Sequence, residues 1–249
     1  MAVLTPRVHW GSKEVNWTYV PSTTEVLGMV RTLAVEAMGV MVLVFVAGAA
    51  IINGGSLGLL GMGAATAAAY AVLVLMFHPV SGAHINPGIT LGVVAAGRMP
   101  PSIGLLYGAA QFGGAVLGAL LLELIFQDVT SDAAAAASLS FDSAAIGSLT
   151  GALLEGILTF LLVIVYFRSF VDSGSDKSVG ALMLGGVVLL AFLVAYPLTG
   201  AAMNVARVFG TDLVAGDYAD FGYYALGMLG GVVAGLTYRY IFAAPEEDH

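Results

Sequence analysis

Two asparagines, Asn86 and Asn204, each begin a short apolar run and follow similar segments, SGAHI before the first and TGAAM before the second. An asparagine amide offers two N–H donors to an oxygen atom that passes it. Asparagine is also a favoured N-cap residue, and the N-terminus of a helix carries a partial positive charge. The two segments therefore predict a pair of polar, electropositive helix starts.

Ionisable residues in apolar surroundings are the other candidates for chemistry. Glu36 and Glu155 lie inside hydrophobic segments, and Arg207 stands three positions after the second asparagine. Within a membrane such residues indicate function by default, so the two carboxylates could form a proton relay or act as fixed hydrogen-bond acceptors. His78 and His84 have no cysteine or carboxylate cluster nearby, so we predict no metal site.

The composition indicates that these residues are held inside a membrane. Of the 249 residues, 59% are hydrophobic and only 10% are charged, whereas soluble domains carry about 25% charged residues. The chain has no cysteine, which excludes thiolate chemistry, and its first 20 residues lack the apolar core of a signal peptide. The net charge of −8 argues against nucleic acid as a partner, and it fits either ordinary solvated loops or adaptation to high salt.

Several hydrophobic segments are long enough to cross a bilayer, which takes about 20 apolar residues. They are six in number and cover residues 31–52, 58–78, 102–126, 144–168, 179–197 and 221–243. Seven of the eight Lys and Arg residues fall on one side of these spans, which the positive-inside rule makes cytoplasmic. We therefore expect both termini in the cytoplasm, with tails at 1–25 and 244–249. Arg207 lies on the opposite side and needs another explanation.

An internal repeat relates the two halves of the chain. The two asparagines are 118 positions apart, and the two buried glutamates are 119 positions apart. Three spans per copy is an odd number, so the second copy must be inverted, and inverted repeats place their functional sites near the midplane. The predicted fold is an all-α membrane protein with a single transmembrane domain, repeat one covering about 26–126 and repeat two about 144–243.

The runs that begin at the asparagines, NPGITLGVVAAG and NVARVFGTDLVA, are too short to cross the membrane. We predict two re-entrant half-helices that enter from opposite faces. Two capped surface helices are the alternative, but that alternative does not explain the inverted placement. The segments Gly82–Ile85 and Gly200–Met203 are expected to be non-helical, with carbonyl groups that line a wet cavity.

These features together resemble the major intrinsic protein family, the aquaporins and glycerol facilitators. The two asparagine segments resemble the family's two Asn-Pro-Ala motifs, EGILTF resembles its Glu-x-x-x-Thr element, and QFGGA resembles its third-span motif. The resemblance implies six transmembrane helices with two half-helices, a homotetramer in the lipid bilayer, no enzymatic activity and no cofactor. Two positions depart from the family pattern, since Gly88 replaces the usual alanine and Val205 replaces the usual proline.

The resemblance also assigns roles to residues along a pore. The central constriction comprises Asn86, Pro87, Gly88, Asn204, Val205 and Ala206. The selectivity filter comprises Thr66, Phe192, Ala201 and Arg207. The line of loop carbonyls comprises Gly82, Ala83, His84, Gly200, Ala202 and Met203. For Glu36 and Glu155 the resemblance favours a structural role, as acceptors for the backbone of the re-entrant loops.

The filter positions leave the transported solute open. Water channels of the family usually carry an aromatic residue at the first position and histidine at the second, whereas glycerol facilitators carry glycine at the second and aspartate after the arginine. Thr66, Phe192 and Val208 match neither set. We expect a passive channel for water and small uncharged solutes, with a glycerol facilitator as the alternative. A proton-coupled transporter that uses Glu36 or Glu155 is a more distant alternative.

Overall fold

The computed structural model describes residues 8–10, 13–15, 23–142, 144–172 and 175–243. The expected C-terminal tail and most of the expected N-terminal tail lie outside these residues. A short antiparallel pair, β1 (Val8–Trp10) and β2 (Lys13–Val15), precedes the helices. The helices are α1 (Thr23–Ile52), α2 (Gly54–Ser81), α3 (Pro87–Ala95), α4 (Pro101–Phe126), α5 (Ala133–Ala137), α6 (Ser148–Tyr166), α7 (Lys177–Thr199), α8 (Val205–Ala215), α9 (Phe221–Gly227) and α10 (Leu229–Thr237).

The described residues contain six helical stretches that are long and apolar enough to cross a membrane, and each overlaps one predicted span. They are Thr23–Ile52, Gly54–Ser81, Pro101–Phe126, Ser148–Val171, Lys177–Thr199 and Phe221–Phe242. The fourth and sixth spans end in π-helical turns, and α2 is interrupted at Gly58, where φ is 62°. The first span begins eight residues before the predicted start, because its helix continues beyond the apolar run into polar sequence.

Two short helices start at the asparagines, as predicted. In α3 the Oδ1 atom of Asn86 accepts a hydrogen bond from the backbone N–H of Gly88 at 2.8 Å, and Pro87 takes the first helical position. In α8 the Oδ1 atom of Asn204 accepts from the N–H groups of Ala206 and Arg207. Each side chain thus satisfies backbone donors that have no partner within the helix.

The two halves of the chain interlock through these short helices. The half-helix α3 packs against α10, the last span of the second half, and α8 packs against α4, the last span of the first half. Helices α2 and α7 also pack against each other across the two halves. This exchange surrounds the N-termini of α3 and α8 with spanning helices and joins the halves into one body.

Glycines allow the closest of these crossings. A Cβ atom at Gly231 would clash with the carbonyl oxygen of Gly88, and one at Gly235 would clash with that of Gly92. Gly231 and Gly235 are four positions apart on α10, and Gly88 and Gly92 are four positions apart on α3, so the two backbones touch over a full turn. Such small-residue stripes allow helices to pack by backbone contact where a membrane supplies no hydrophobic driving force between them.

Candidate functional site

The two N-capping asparagines meet in the interior. The Nδ2 atom of Asn86 donates to the carbonyl oxygen of Met203 at 2.7 Å, and the Nδ2 atom of Asn204 donates to that of Ile85 at 2.9 Å. Both asparagines are buried. Each amide carries a second N–H, so the meeting point of the half-helices retains donors beyond those that bind the opposite loop.

The segments that lead to the asparagines are non-helical, as predicted, and their backbone is strained. Ala83, Ile85, Ala201 and Met203 all have positive φ angles, between 40° and 48°. Residues other than glycine rarely adopt this region, and each instance costs on the order of 1–3 kcal/mol. Such a backbone persists only where its surroundings hold it in place.

Glu36 holds the first segment. Its Oε1 atom accepts from the hydroxyl of Ser81 at 2.6 Å and from the N–H of His84 at 3.0 Å. Its Oε2 atom accepts from the N–H of Ile85 at 2.7 Å and from the amide of Gln111 at 2.8 Å. The carboxylate thus binds four donors in a fully buried site.

Glu155 holds the second segment with the same geometry. Its Oε1 atom accepts from the hydroxyl of Thr199 at 2.6 Å and from the N–H of Ala202 at 3.0 Å, and its Oε2 atom accepts from the N–H of Met203 at 2.7 Å. This matching arrangement, with both oxygens of each carboxylate occupied by donors, supports the predicted role as a backbone acceptor over that of a proton relay.

Four further residues that hold the two non-helical segments in place were not predicted from the sequence. Besides Ser81 and Thr199, the hydroxyl of Tyr107 donates to the carbonyl of Ser81, and the hydroxyl of Tyr224 donates to that of Thr199. The interval that relates the two asparagines would have revealed both pairs, since each pair is separated by almost the same number of residues.

His84 is buried beside the first asparagine. Its Nδ1 atom lies 3.0 Å from the hydroxyl oxygen of Thr90, which also accepts from the amide of Gln111. The imidazole packs against the rings of Tyr107 and Tyr166, with centroid distances of 5.0 and 5.5 Å. In the second half Ala202 occupies the corresponding position, so these contacts distinguish the two loops.

A narrow cavity joins several of the predicted pore residues. It is lined by both asparagines and by Thr66, Ala201 and Arg207, and the loop residues Ala202 and Met203 also contribute. Phe192 does not line the cavity. It is fully buried behind the wall, with its ring centroid 5.6 Å from the guanidinium carbon of Arg207.

The remaining predicted residues lie around this cavity and do not line it. They are Gly82, Ala83, His84, Pro87, Gly88, Gly200, Val205 and Ala206. All of them except Gly82 are buried, and Pro87 lines a lateral apolar groove between α3 and α4. A Cβ atom at Gly88 would lie 2.8 Å from the Cγ2 atom of Thr159, which accounts for glycine at this position.

Arg207 supplies a fixed positive charge to the cavity. Its side chain is 4% exposed, and within the described part of the chain its Nη2 atom has no hydrogen-bond partner. A buried donor without a partner is costly, and such groups mark functional sites when a solvent molecule or solute can satisfy them. The guanidinium is therefore available to a molecule in the cavity.

Asp212, which lies outside the six spans, has a raised pKa. Asp212 lies near the C-terminal end of α8 and is buried. Burial, together with the negative charges of Asp217 and Asp220, raises the pKa of its carboxyl from the ordinary 3.8 to about 7. The carboxyl therefore titrates close to neutral pH.

Known proteins resemble this chain in sequence and in fold. A model of the major intrinsic protein family matches residues 23–238. The chain is 41% identical to the aquaporin TIP4-4 of Zea mays over 176 residues, which cover 70% of this chain and 68% of that relative. It is 34% identical to the aquaporin TIP2-1 of Zea mays over 196 residues, which cover 76% of each. An X-ray structure of the aquaglyceroporin from Plasmodium falciparum shares the fold with a TM-score of 0.74 at 21% identity, covering 86% of this chain and 96% of that one.

Proposed function

The chain belongs to the major intrinsic protein family, and we propose that it forms a passive transmembrane channel for water and other small uncharged solutes that excludes ions and protons. The main support for this proposal is the geometry of the two asparagines. Asn86 and Asn204 meet at the N-termini of two opposed half-helices and line one narrow cavity together with Arg207. Both relatives from Zea mays bear the name aquaporin, which agrees with water as a solute.

The central pair would act by orienting water. Each half-helix N-terminus carries roughly half a positive charge, so their meeting point disfavours cations and hydronium. Each asparagine has a second N–H that can donate to a water oxygen. A water molecule that accepts from both asparagines points its own hydrogens away from the centre, so protons cannot pass along the file of waters.

The wall near Arg207 would select by charge and size. Its guanidinium repels cations and donates to neutral solutes, and Nη2 is free to do so within the described structure. Thr66 and Ala201 are small and leave space in the cavity, and Phe192 packs behind Arg207 outside the lining. This combination suits water and also small polar solutes, so a glycerol facilitator remains the second candidate.

Proton-coupled transport through Glu36 or Glu155 has less support. Each carboxylate is at most 1% exposed and binds backbone and side-chain donors with both oxygens. A relay would require these groups to release their donors during every cycle, and the strained loops would then lose the contacts that hold them.

The arrangement in the membrane belongs to the same proposal. Both termini lie in the cytoplasm, because the Lys and Arg residues other than Arg207 cluster at the corresponding ends of the spans. The chain assembles as a homotetramer with one pore in each subunit, as the family resemblance implies. Chemical cross-linking in membranes tests this assembly and should give a largest product of about four times the 25.4 kDa chain.

Stopped-flow light scattering on proteoliposomes tests the channel function. With an osmotic gradient of sucrose, vesicles that contain the protein should shrink faster than protein-free vesicles, with no change of luminal pH. Repeating the assay with glycerol and urea gradients ranks the solutes. Water permeability equal to that of protein-free vesicles would contradict the proposal, and flux that requires a proton gradient would favour a coupled transporter.

A further inference from the structure

We propose that Tyr196 determines solute specificity as a positioning residue, by holding Phe192 against Arg207 and so keeping the filter narrow. This inference rests on the proposed channel function and assigns a role to a residue outside the predicted filter. Tyr196 lies on α7, one helical turn beyond Phe192.

The register of α7 places three residues in one row, of which the first, Val188, lines the cavity. Val188, Phe192 and Tyr196 are separated by four positions each, so they share one face of the helix and follow each other at about 6 Å along its axis. Val188 lines the cavity beside the asparagines. Phe192 lies at the level of Arg207, and Tyr196 therefore occupies the next level toward the mouth at the end of α7.

The side chains of Tyr196, Phe192 and Arg207 form one stack. The rings of Phe192 and Tyr196 are nearly parallel, with an interplanar angle of 14° and centroids 5.1 Å apart. The guanidinium of Arg207 lies 5.6 Å from the centroid of the same Phe192 ring. Parallel stacking and the cation–π contact both depend on the orientation of the Phe192 ring, so Tyr196 and Arg207 are coupled through it.

Phe192 is fully buried and is contacted both at its base and on its ring. Gly63 of α2 packs against the base of Phe192, since a Cβ atom there would lie 2.8 Å from the Phe192 Cβ atom and 3.3 Å from Cγ. This contact fixes the start of the side chain. The stacked ring of Tyr196 is one of the contacts that hold the aromatic ring itself, and removing it leaves space into which the ring can turn.

The aromatic ring of Tyr196 is the part that matters. The residue is only half-buried, and it packs against two clusters of buried apolar residues, one that contains Phe192 and Met203 and one that contains Ala202 and Val205. Its hydroxyl forms no hydrogen bond with another described residue. Replacing Tyr196 with phenylalanine should therefore preserve the stack, whereas alanine removes it and releases the Phe192 ring.

The measurement is the ratio of glycerol to water permeability in proteoliposomes. We expect Tyr196→Ala to raise this ratio by roughly two- to tenfold, the factor that corresponds to loss of one aromatic contact. Tyr196→Phe should match the wild type. The control is Tyr218→Ala, because Tyr218 is an exposed tyrosine in the loop that follows α8 and lies outside the stack.

A double-mutant cycle tests whether Tyr196 acts through Phe192. We expect Phe192→Ala to raise the ratio as well, and the combined variant to show no further increase over Phe192→Ala alone. Additive effects, or a wild-type ratio in Tyr196→Ala, would overturn the inference. If Tyr196→Ala does not reconstitute, Tyr196→Leu, which keeps bulk but lacks a flat ring, is judged by the same criterion.

The outcomes also separate this inference from the function on which it rests. A wild-type protein without water permeability refutes the channel itself. A conducting wild type whose solute ratio is insensitive to Tyr196 leaves the channel intact and refutes only the positioning role.

Discussion

Two residues of opposite charge, Arg207 and Asp212, lie on the half-helix α8, and their surroundings predict different effects of replacing them. Arg207 is buried in the wall of the cavity, with a terminal nitrogen that has no hydrogen-bond partner among the described residues. Asp212 is buried near the end of α8, where two further carboxylates disfavour its ionisation. The first charge is expected to act on transport and the second on stability.

Replacing Arg207 with alanine is expected to increase proton and cation leak while water flux persists. The change removes a fixed positive charge from a narrow passage, and a barrier lower by about 1.4 kcal/mol already raises the leak about tenfold. A pH-sensitive dye inside proteoliposomes measures the proton leak, and light scattering measures the water flux. The control is Arg239→Ala, since Arg239 is exposed at the end of the last span. A leak equal to the wild type would remove Arg207 from the filter.

Replacing Asp212 with asparagine is expected to stabilise the protein at alkaline pH. The folded-state pKa of about 7 lies above the ordinary value of 3.8, so the folded protein favours the protonated carboxyl. The wild type is therefore most stable relative to the variant below pH 3.8 and loses that stability as the pH rises to about 7. Asparagine resembles the protonated form at every pH.

The melting temperature in detergent, measured from pH 4 to pH 8, tests this linkage. The variant should match the wild type near pH 4 and exceed it by at least roughly 2–4 °C at pH 8, the shift that about 1 kcal/mol produces in a chain of this size. The control Asp128→Asn changes an exposed carboxylate in a loop. A gap that is constant across the pH range would argue against titration of Asp212.

At the scale of elements, the crossing of α3 and α10 determines where the first half-helix sits. Gly231 of α10 faces the backbone carbonyl of Gly88, which is two positions from Asn86. The contact involves backbone on both sides, so a side chain placed there cannot be accommodated by a change of rotamer. The position of the first asparagine therefore depends on a glycine in the last span.

Replacing Gly231 with alanine is expected to lower both stability and water permeability. The added methyl group must displace the backbone of Gly88, and overpacking of this kind costs about 1–3 kcal/mol. Thermal unfolding in detergent and stopped-flow shrinkage measure the two effects. Gly108→Ala is the matched control, because a Cβ atom at Gly108 meets nothing within 4 Å. The crossing would be less tight than described if both variants melted at the wild-type temperature.

For the molecule as a whole, the proposed orientation in the membrane rests on the distribution of positive charge along the chain. The absence of cysteine allows single cysteines to be introduced without background labelling. Ser102 and Ser131 are both exposed. Ser102 lies at the start of α4, and Ser131 lies in the loop that follows the other end of this helix.

A membrane-impermeant thiol reagent applied to intact cells tests the proposed orientation. We expect Ser131→Cys to react and Ser102→Cys to react only after the cells are permeabilised, because Ser102 lies at the end of the spans where the basic residues cluster. Labelling after permeabilisation is the control for accessibility of both sites. The opposite pattern would place the termini outside the cell.

Much of this architecture follows from local or periodic features of the sequence. Hydrophobic runs of sufficient length identified all six spans, and the asparagines identified the starts of α3 and α8, because apolar length and N-capping depend on neighbouring residues. The near-constant interval between equivalent residues identified the two glutamates as a pair. The short helix α5 was not predicted, since five alanines in a loop carry no periodicity and this helix depends on its N-cap, Asp132.

Only the tertiary structure decided which distant groups touch. The bonds from Asn86 to Met203 and from Asn204 to Ile85 join residues 117 and 119 positions apart. The cation–π contact between Arg207 and Phe192 and the glycine contacts between α3 and α10 likewise join separate helices. Such contacts depend on the relative rotation and depth of packed helices, which arise from the fit of all their side chains at once, whereas the spans, caps and repeat are written in residues close together or regularly spaced along the chain.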